Sequence, residues 1–156
     1  MPELPALEIA HPVRVRYAEC DPMGVAHHAS YAPWMEEART ELLRQSGKTY
    51  AKLEEEGVFL VITKMEIRYR RPIKYDDRLE IRCRHIPAGR IKIRHTYDIA
   101  LIERNGQTLG PTPDTEKDPS LPRDGVCAIA TTELACVGTD GRPQPLPDFL
   151  VVPENT

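Results

Sequence analysis

No cysteine of this 156-residue chain belongs to a C-x-x-C pair, no basic region followed by an apolar stretch opens it, and no apolar run is long enough to span a bilayer. Cys20, Cys83, Cys127 and Cys136 are spaced neither as a redox motif nor with partners at zinc-like separations, so no metal site is expected. Without a secretory leader pattern or a run of about 20 apolar residues, a reduced, cytoplasmic location is the simplest expectation. An excess of positive charge is missing too: Lys+Arg number 21 against 24 Asp+Glu, a net charge of −3. That balance excludes a globally basic surface for nucleic acid. No internal repeat is present. The length suits one domain over residues 1–156, large enough to bury about two thirds of its unfolded surface.

What the chain does have is concentrated in residues 17–39, YAECDPMGVAHHASYAPWMEEAR. Asp21-Pro22 and Gly24 supply turn signals that neither a strand nor a helix can run through. Ahead of them, Val13, Val15 and Tyr17 alternate with Arg14 and Arg16, which predicts a half-buried strand ending near Tyr17. Behind them, Tyr31, Trp34, Met35, Ala38 and Leu42 fall on one side of a 3.6-residue repeat, opposite Glu36, Glu37, Thr40, Glu41 and Arg44. Ser30 is the N-cap candidate, Pro33 fits only the first turn, and Gly47 is placed to stop the helix. The Asp21 carboxylate is thus set beside the free N–H groups of a helix start, an arrangement suited to binding an oxyanion.

Other chemistry is open to the same residues. An Asp before Pro commonly bonds its own backbone in a turn. Cys20, with His27 and His28 nearby, offers a thiol nucleophile if a base reaches it. Asp21 with the two histidines offers metal donors, although adjacent histidines diverge on most backbones.

The run D-P-M-G-V-A-H-H-A-S-Y from Asp21 to Tyr31, followed by E-x-A-R from Glu36 to Arg39, resembles the signature of hotdog-fold acyl-CoA thioesterases of the 4-hydroxybenzoyl-CoA thioesterase class. The likeness is nearest to the YbgC-type, Tol-Pal-associated branch, through H-A-S-Y at His28 to Tyr31 and E-x-A-R-T-E at Glu36 to Glu41. It runs from about Val13 to Ile102 and resumes near Val126. The resemblance implies an α+β hotdog domain, in which an antiparallel sheet wraps one long helix, and hydrolysis of an acyl- or aroyl-CoA thioester. It places the catalytic carboxylate at Asp21, the loop glycine at Gly24 and the backbone donor to the thioester oxygen at His28. Many relatives have Tyr or Trp where this chain has His27, which implies a more polar acyl pocket. His27, Tyr31, Glu36, Thr63, Arg90 and Lys92 are the substrate-binding candidates, with Glu36 as the backup nucleophile. Asp21 either attacks the carbonyl or activates water as a base. No cofactor is implied, since coenzyme A is part of the substrate. The resemblance further implies a homodimer with active sites at its interface, and commonly a homotetramer. A hotdog dehydratase using His28 or His85 with Glu36, and a non-catalytic acyl-CoA binding module, are the alternatives.

The remainder of the chain reads mostly as strands. A short helix near 50–56 ends at Gly57, and the apolar run 58–62 follows. Thr63, Met65, Ile67 and Tyr69 then alternate with charged residues in a long strand stopped by Pro72. Leu79, Ile81 and Cys83 begin a hairpin that turns at Ala88-Gly89 and returns through Ile91, Ile93, His95, Tyr97, Ile99 and Leu101. The last strand, 126–137, is apolar on both faces, as if covered on both sides. Residues 107–125 hold four prolines and few large apolar side chains, which predicts a flexible insertion. The tail over 143–156 is also Pro-rich, with 149–152 positioned to dock. Arg90 and Lys92 beside the hairpin turn, and Arg70, Arg71 and Lys74 around Pro72, are candidates for gripping coenzyme A phosphates.

Overall fold

The computed structural model describes residues 8–110 and 112–151. Helix α1 (Tyr31–Gln45) is the one long helix among them, and it packs on an antiparallel sheet. The strands are β1 (Glu8–Arg14), β2 (Phe59–Tyr69), β3 (Arg78–Pro87), β4 (Lys92–Arg104), β5 (Gln107–Thr108) and β6 (Val126–Val137). Their order is β1-β3-β4-β6-β2, with β5 paired to β4. A two-turn helix, α2 (Tyr50–Glu55), bridges α1 to β2. This is the α+β arrangement expected from the order of periodicities.

The core lies between α1 and the concave face of the sheet. Trp34, Met35, Ala38 and Leu42 of α1 are buried against Leu79 and Ile81 of β3, Tyr97 and Ile99 of β4, and Ala128 and Ala130 of β6. Each large side chain withdrawn from water here contributes about 1.5 to 3 kcal/mol. The β3–β4 hairpin keeps the predicted alternation, Ile81 facing Ile99 and Cys83 facing Tyr97. Thr49 caps α2 by accepting from Lys52 N–H, and Gly57 leaves it at φ +80°, a conformation costly for side-chain-bearing residues.

Four expectations need correction. Strand β1 stops at Arg14, and Tyr17 is 80% exposed because residues Tyr17–Glu19 close a 3₁₀ turn in which Glu19 accepts from the Arg16 N–H at 2.7 Å. Ser30 occupies the N-cap position of α1 without capping it; its hydroxyl donates instead to the Glu19 carbonyl at 2.8 Å. Thr63 does not share a face with Met65, Ile67 and Tyr69. A bulge at this residue turns its hydroxyl onto the Glu133 carboxylate, 2.9 Å away. Finally, β6 is covered on one face only at its middle, where Ile129 and Thr131 look outward to solvent.

The 107–125 stretch opens as β5 and later folds back over the body. Leu109 packs against the core and Leu121 is buried in it. In the tail, Leu150 is buried and Phe149 packs beside it, in a cluster with Leu43, Leu53 and Ile93. Val152 lies outside the described residues.

Candidate active site

The loop after β1 is a small, heavily bonded hairpin. Asp21 N–H donates to the Val25 carbonyl at 2.9 Å, and Gly24 N–H returns to the Asp21 carbonyl at 2.9 Å. Gly24 takes φ +80°, which explains the glycine there. Ala26 N–H donates to the Ile73 carbonyl at 2.7 Å, tying the hairpin to the turn that follows β2. Asp21 Oδ1 accepts from Met23 N–H at 2.9 Å, so the residue does form the local turn anticipated for an Asp-Pro pair. Its carboxylate is half-buried, and Oδ2 carries no hydrogen bond among the described residues. One oxygen is therefore fixed by the backbone, and the other carries no such bond among the described residues.

The chain then enters a 3₁₀ turn, His28–Ser30, that runs directly into α1. Three amide groups lie at this start. Ala29 N–H is taken by His27 Nδ1 at 3.0 Å, and Ser30 N–H by the His27 carbonyl at 2.9 Å. His28 N–H, first in the turn, has no preceding helical carbonyl to bond. Among the described residues it is the donor left over. Tyr69 from the end of β2 donates its hydroxyl to the His28 carbonyl at 3.0 Å and stacks edge-on against Tyr31, which is buried. The His27 and His28 rings lie 4.0 Å apart. His27 spends one ring nitrogen as a cap, which leaves only the other edge of its ring for a ligand.

Glu19 holds this loop together, and sequence reasoning passed over it. Buried to 9% exposure, its carboxylate accepts from Arg16 N–H and from the indole N–H of Trp34 at 2.7 Å, while its carbonyl accepts from His27 N–H and the Ser30 hydroxyl. The signal was present only as an acidic residue two places before Asp21. Nothing in the spacing announced that Trp34, a turn into the helix, would reach back to it.

Asp21, Gly24, His27, His28 and Tyr31 are gathered at one end of the sheet. Glu36 is not with them: it is exposed and borders a groove with His11, Pro12, Arg16, Trp34 and Glu37. His85 is buried and lines a different cavity, away from Glu36. Thr63 and Lys92 are both engaged with Glu133, and Lys92 Nζ lies 3.1 Å from its carboxylate. Hydrogen bonds from Lys92, Thr63 and Arg94 pull the Glu133 carboxyl down to about 2. Thr63 stands six residues before Tyr69 on β2, roughly 20 Å along an extended chain. Thr63, Arg90 and Lys92 thus occupy the other end of the sheet from Asp21. Basic residues of the same chain beside the loop are Arg16, whose Nε lies 3.3 Å from the Glu19 carboxylate, and Lys74, whose backbone bridges to Val25; Arg70 nearby pairs with Asp124 at 3.2 Å.

A groove of about 640 Å³ crosses the outer face of β1, β3 and β4, bounded by Ile9, Arg82, Arg84 and Asp98, and includes no residue of the Asp21 loop. Cys20 is a poor nucleophile where it sits. Partial burial and the adjacent Glu19 and Asp21 charges all raise its thiol pKa. Among the described residues there is no cluster of three or more metal-donor side chains, and no helix is long and apolar enough to cross a membrane.

Comparison with known proteins bears on the fold and the family. The chain is 46% identical over 70 residues to YbgC of Escherichia coli O6:H1, named an acyl-CoA thioester hydrolase, covering 45% of this chain and 52% of that one. It is 40% identical over 65 residues to YneP of Bacillus subtilis, covering 42% and 47%. The match thus spans about half the length of these curated relatives. In three dimensions it resembles the DHNA-CoA thioesterase of Staphylococcus aureus, with a TM-score of 0.72, 25% identity, and coverage of 89% of this chain and 80% of that one. The fold is therefore the hotdog fold. Residues 15–152 match the profile of the Thioesterase-like superfamily, and the chain belongs to that family.

Proposed function

We propose that this protein is an acyl-CoA thioesterase that hydrolyses a small-to-medium acyl- or aroyl-CoA thioester, with Asp21 and the His28 N–H as its reacting groups. The observation that carries this reading is the unused His28 amide at the start of the helix beside a carboxylate with one free oxygen. The thioester oxygen sits on that N–H, where one fixed donor is worth roughly 3 to 4 kcal/mol of barrier. Asp21 either adds to the carbonyl carbon or takes a proton from the water that does. In the base route the C–S bond then breaks, the proton taken by Asp21 passes to the departing coenzyme A thiolate, and the acid is the second product. In the nucleophilic route coenzyme A departs as the thiolate and leaves a mixed anhydride on Asp21, which water hydrolyses to release the acid, restore the carboxylate and supply the proton; no cofactor takes part.

The second part of the reading is that two copies make the site. Strand β2 is bonded to β6 on one side only, and Ile62, Met65 and Tyr69, all on its concave face, are 44%, 39% and 50% exposed. A free edge with exposed apolar residues is a surface for strand pairing. Antiparallel pairing of β2 with the same strand of a second copy would bring the far end of the partner's sheet toward Asp21. Thr63, Arg90 and Lys92 of one chain would then serve the other chain's substrate, and dimers would pair into tetramers. Four unpaired cysteines fit action in a reducing, cytoplasmic setting.

The test is turnover on a panel of acyl- and aroyl-CoAs followed with a thiol reagent. Thiol release from the parent protein, and a loss of at least about a hundredfold in Asp21→Asn with the assembly intact, is the expected result. Near-normal turnover in that variant would move the role to Glu36. Hydration or dehydration without thiol release would make the protein a dehydratase.

A further inference from the structure

A backbone donor serves a reacting oxygen only if its direction is fixed, and three successive peptide groups around the His28 amide are each held. In the first, His27 N–H donates to the Glu19 carbonyl at 2.8 Å. The second joins the His27 carbonyl to the His28 N–H, and Ser30 N–H takes that carbonyl at 2.9 Å. Because a trans peptide sets its C=O and N–H in opposite directions, the His28 N–H points out of the turn, away from Ser30. The third joins the His28 carbonyl to the Ala29 N–H. Its N–H is taken by His27 Nδ1 at 3.0 Å, and its carbonyl by the Tyr69 hydroxyl at 3.0 Å. Of these four bonds, three close within residues 19–30 and shape the turn from inside. Only the bond from Tyr69 ties His28 itself to the sheet.

Tyr69 is firmly mounted for this. It ends β2 in register with Ala128 of β6, and the next residue, Arg70, donates its N–H to the Cys127 carbonyl at 2.9 Å, so the strand end is held. Its ring meets that of Tyr31 edge-on, with centroids 4.8 Å apart and planes at 88°, and Tyr31 is buried at the first position of α1. A phenylalanine would make the same ring contact. The hydroxyl therefore adds something other than packing, and among the described residues its one hydrogen bond is to His28. Tyr69 is also 50% exposed, so loss of that hydroxyl leaves no buried group bare except to water and costs the fold little.

We propose that Tyr69 is a positioning residue for thioester hydrolysis: through the His28 carbonyl, its hydroxyl holds the His28 N–H in line with the thioester oxygen. The inference rests on the thioesterase reading above and adds to it a residue that acts through the backbone. A misplacement of about 1 Å at a reacting centre costs up to about a hundredfold in rate. The oxygen gathers its charge in the transition state, so a misdirected donor lowers kcat and leaves KM nearly unchanged.

The experiment compares Tyr69→Phe with the unaltered protein on the best substrate of the acyl-CoA panel. The expected result is a kcat lower by at least about fivefold, a KM within about twofold and a thermal midpoint within about 2 °C. A second arm reads the donor directly, from the carbonyl stretching band of the same thioester bound without turnover to Asp21→Asn. A hydrogen bond to the oxygen moves that band to lower frequency, and adding Tyr69→Phe is expected to return it toward its value in free solution. An unchanged kcat overturns the proposal, as does a raised KM alone. A lowered midpoint or kcat with the band unmoved makes the hydroxyl a structural bond and overturns it as well. Normal turnover in Tyr69→Phe removes Tyr69 and leaves the thioesterase reading standing, whereas an unaltered protein that releases no thiol from any substrate fails that reading and this inference with it.

Discussion

Arg104 grips Asp77 with two parallel bonds, Nε to Oδ1 at 3.0 Å and Nη2 to Oδ2 at 2.8 Å, and the side chains are only 6% and 1% exposed. The pair fixes the turn after β2. Asp77 also accepts from Lys74 N–H, and Arg104 donates to the Pro72 carbonyl. That turn supplies the Ile73 carbonyl to which the Asp21 hairpin is bonded. Arg104 also reaches Ser120 at 3.4 Å and Asp118 at 4.0 Å, so the 107–125 insertion and the candidate active site share one anchor.

Removing one member of a buried pair leaves the other charged and unmatched, which typically costs about 3 to 5 kcal/mol. Asp77→Asn is expected to lower unfolding stability by that order, read from the midpoint of a urea titration. An unchanged midpoint would mean that water reaches the pair.

Trp34 is the only tryptophan, and its indole N–H is bonded to Glu19 at 2.7 Å. Glu19→Ala removes that acceptor and the one for Arg16 N–H, at a cost of about 1 to 3 kcal/mol for each buried donor left bare. The expected outcome is a red-shifted Trp34 emission together with reduced kcat, because the lost side-chain bonds to Arg16 N–H and Trp34 are what hold in place the segment whose carbonyl accepts from His27 and Ser30. An unshifted spectrum with full activity would show that the carboxylate does not hold the loop.

The buried histidines predict an acid-side loss of stability. Burial, then the neighbouring His85 and Arg39 charges, lowers His95 from 6.5 to about 3, and burial lowers His85 as well. Below pH 6.5 the unfolded chain takes up protons that the folded chain refuses, so stability is fully present above that value and declines as pH falls toward about 3. For His95 the slope approaches about 1.4 kcal/mol per pH unit between those values. His95→Phe should flatten the decline measured by denaturation at a series of pH values. The same slope in that variant would place the titration elsewhere.

The helix and the hairpin were legible because their periods are clean: Trp34, Met35, Ala38 and Leu42 cannot face water together, nor can Ile93, His95, Tyr97 and Ile99. The Asp21 loop was legible from its turn residues and its motif. What escaped was set by contacts between residues distant in sequence. Arg39, with a charged side chain on the helix, is buried because Tyr97 lies 58 positions away to receive it. Thr63 shifted faces because one extra residue in β2 opposes β6, and no local pattern marks such a bulge. Tyr17, which alternates correctly with Val13 and Val15, left the strand because Glu19 turned back on Arg16.

The exposed edge of β2 gives the last prediction. Ile62 and Met65 face the concave side next to the buried Leu134 and Thr132, yet remain open to solvent because among the described residues no strand pairs with the outer edge of β2. If a second copy pairs along this edge, lysine at both positions sets four like charges close together across the join and leaves hydrocarbon surface uncovered. The single chain should still fold, since both residues are already solvated in it. Ile62→Lys with Met65→Lys is therefore expected to sediment as a monomer, with unfolding by circular dichroism little changed and turnover reduced by at least about tenfold. A dimeric double variant would move the interface to another face. A monomer with full turnover would place the complete site within one chain.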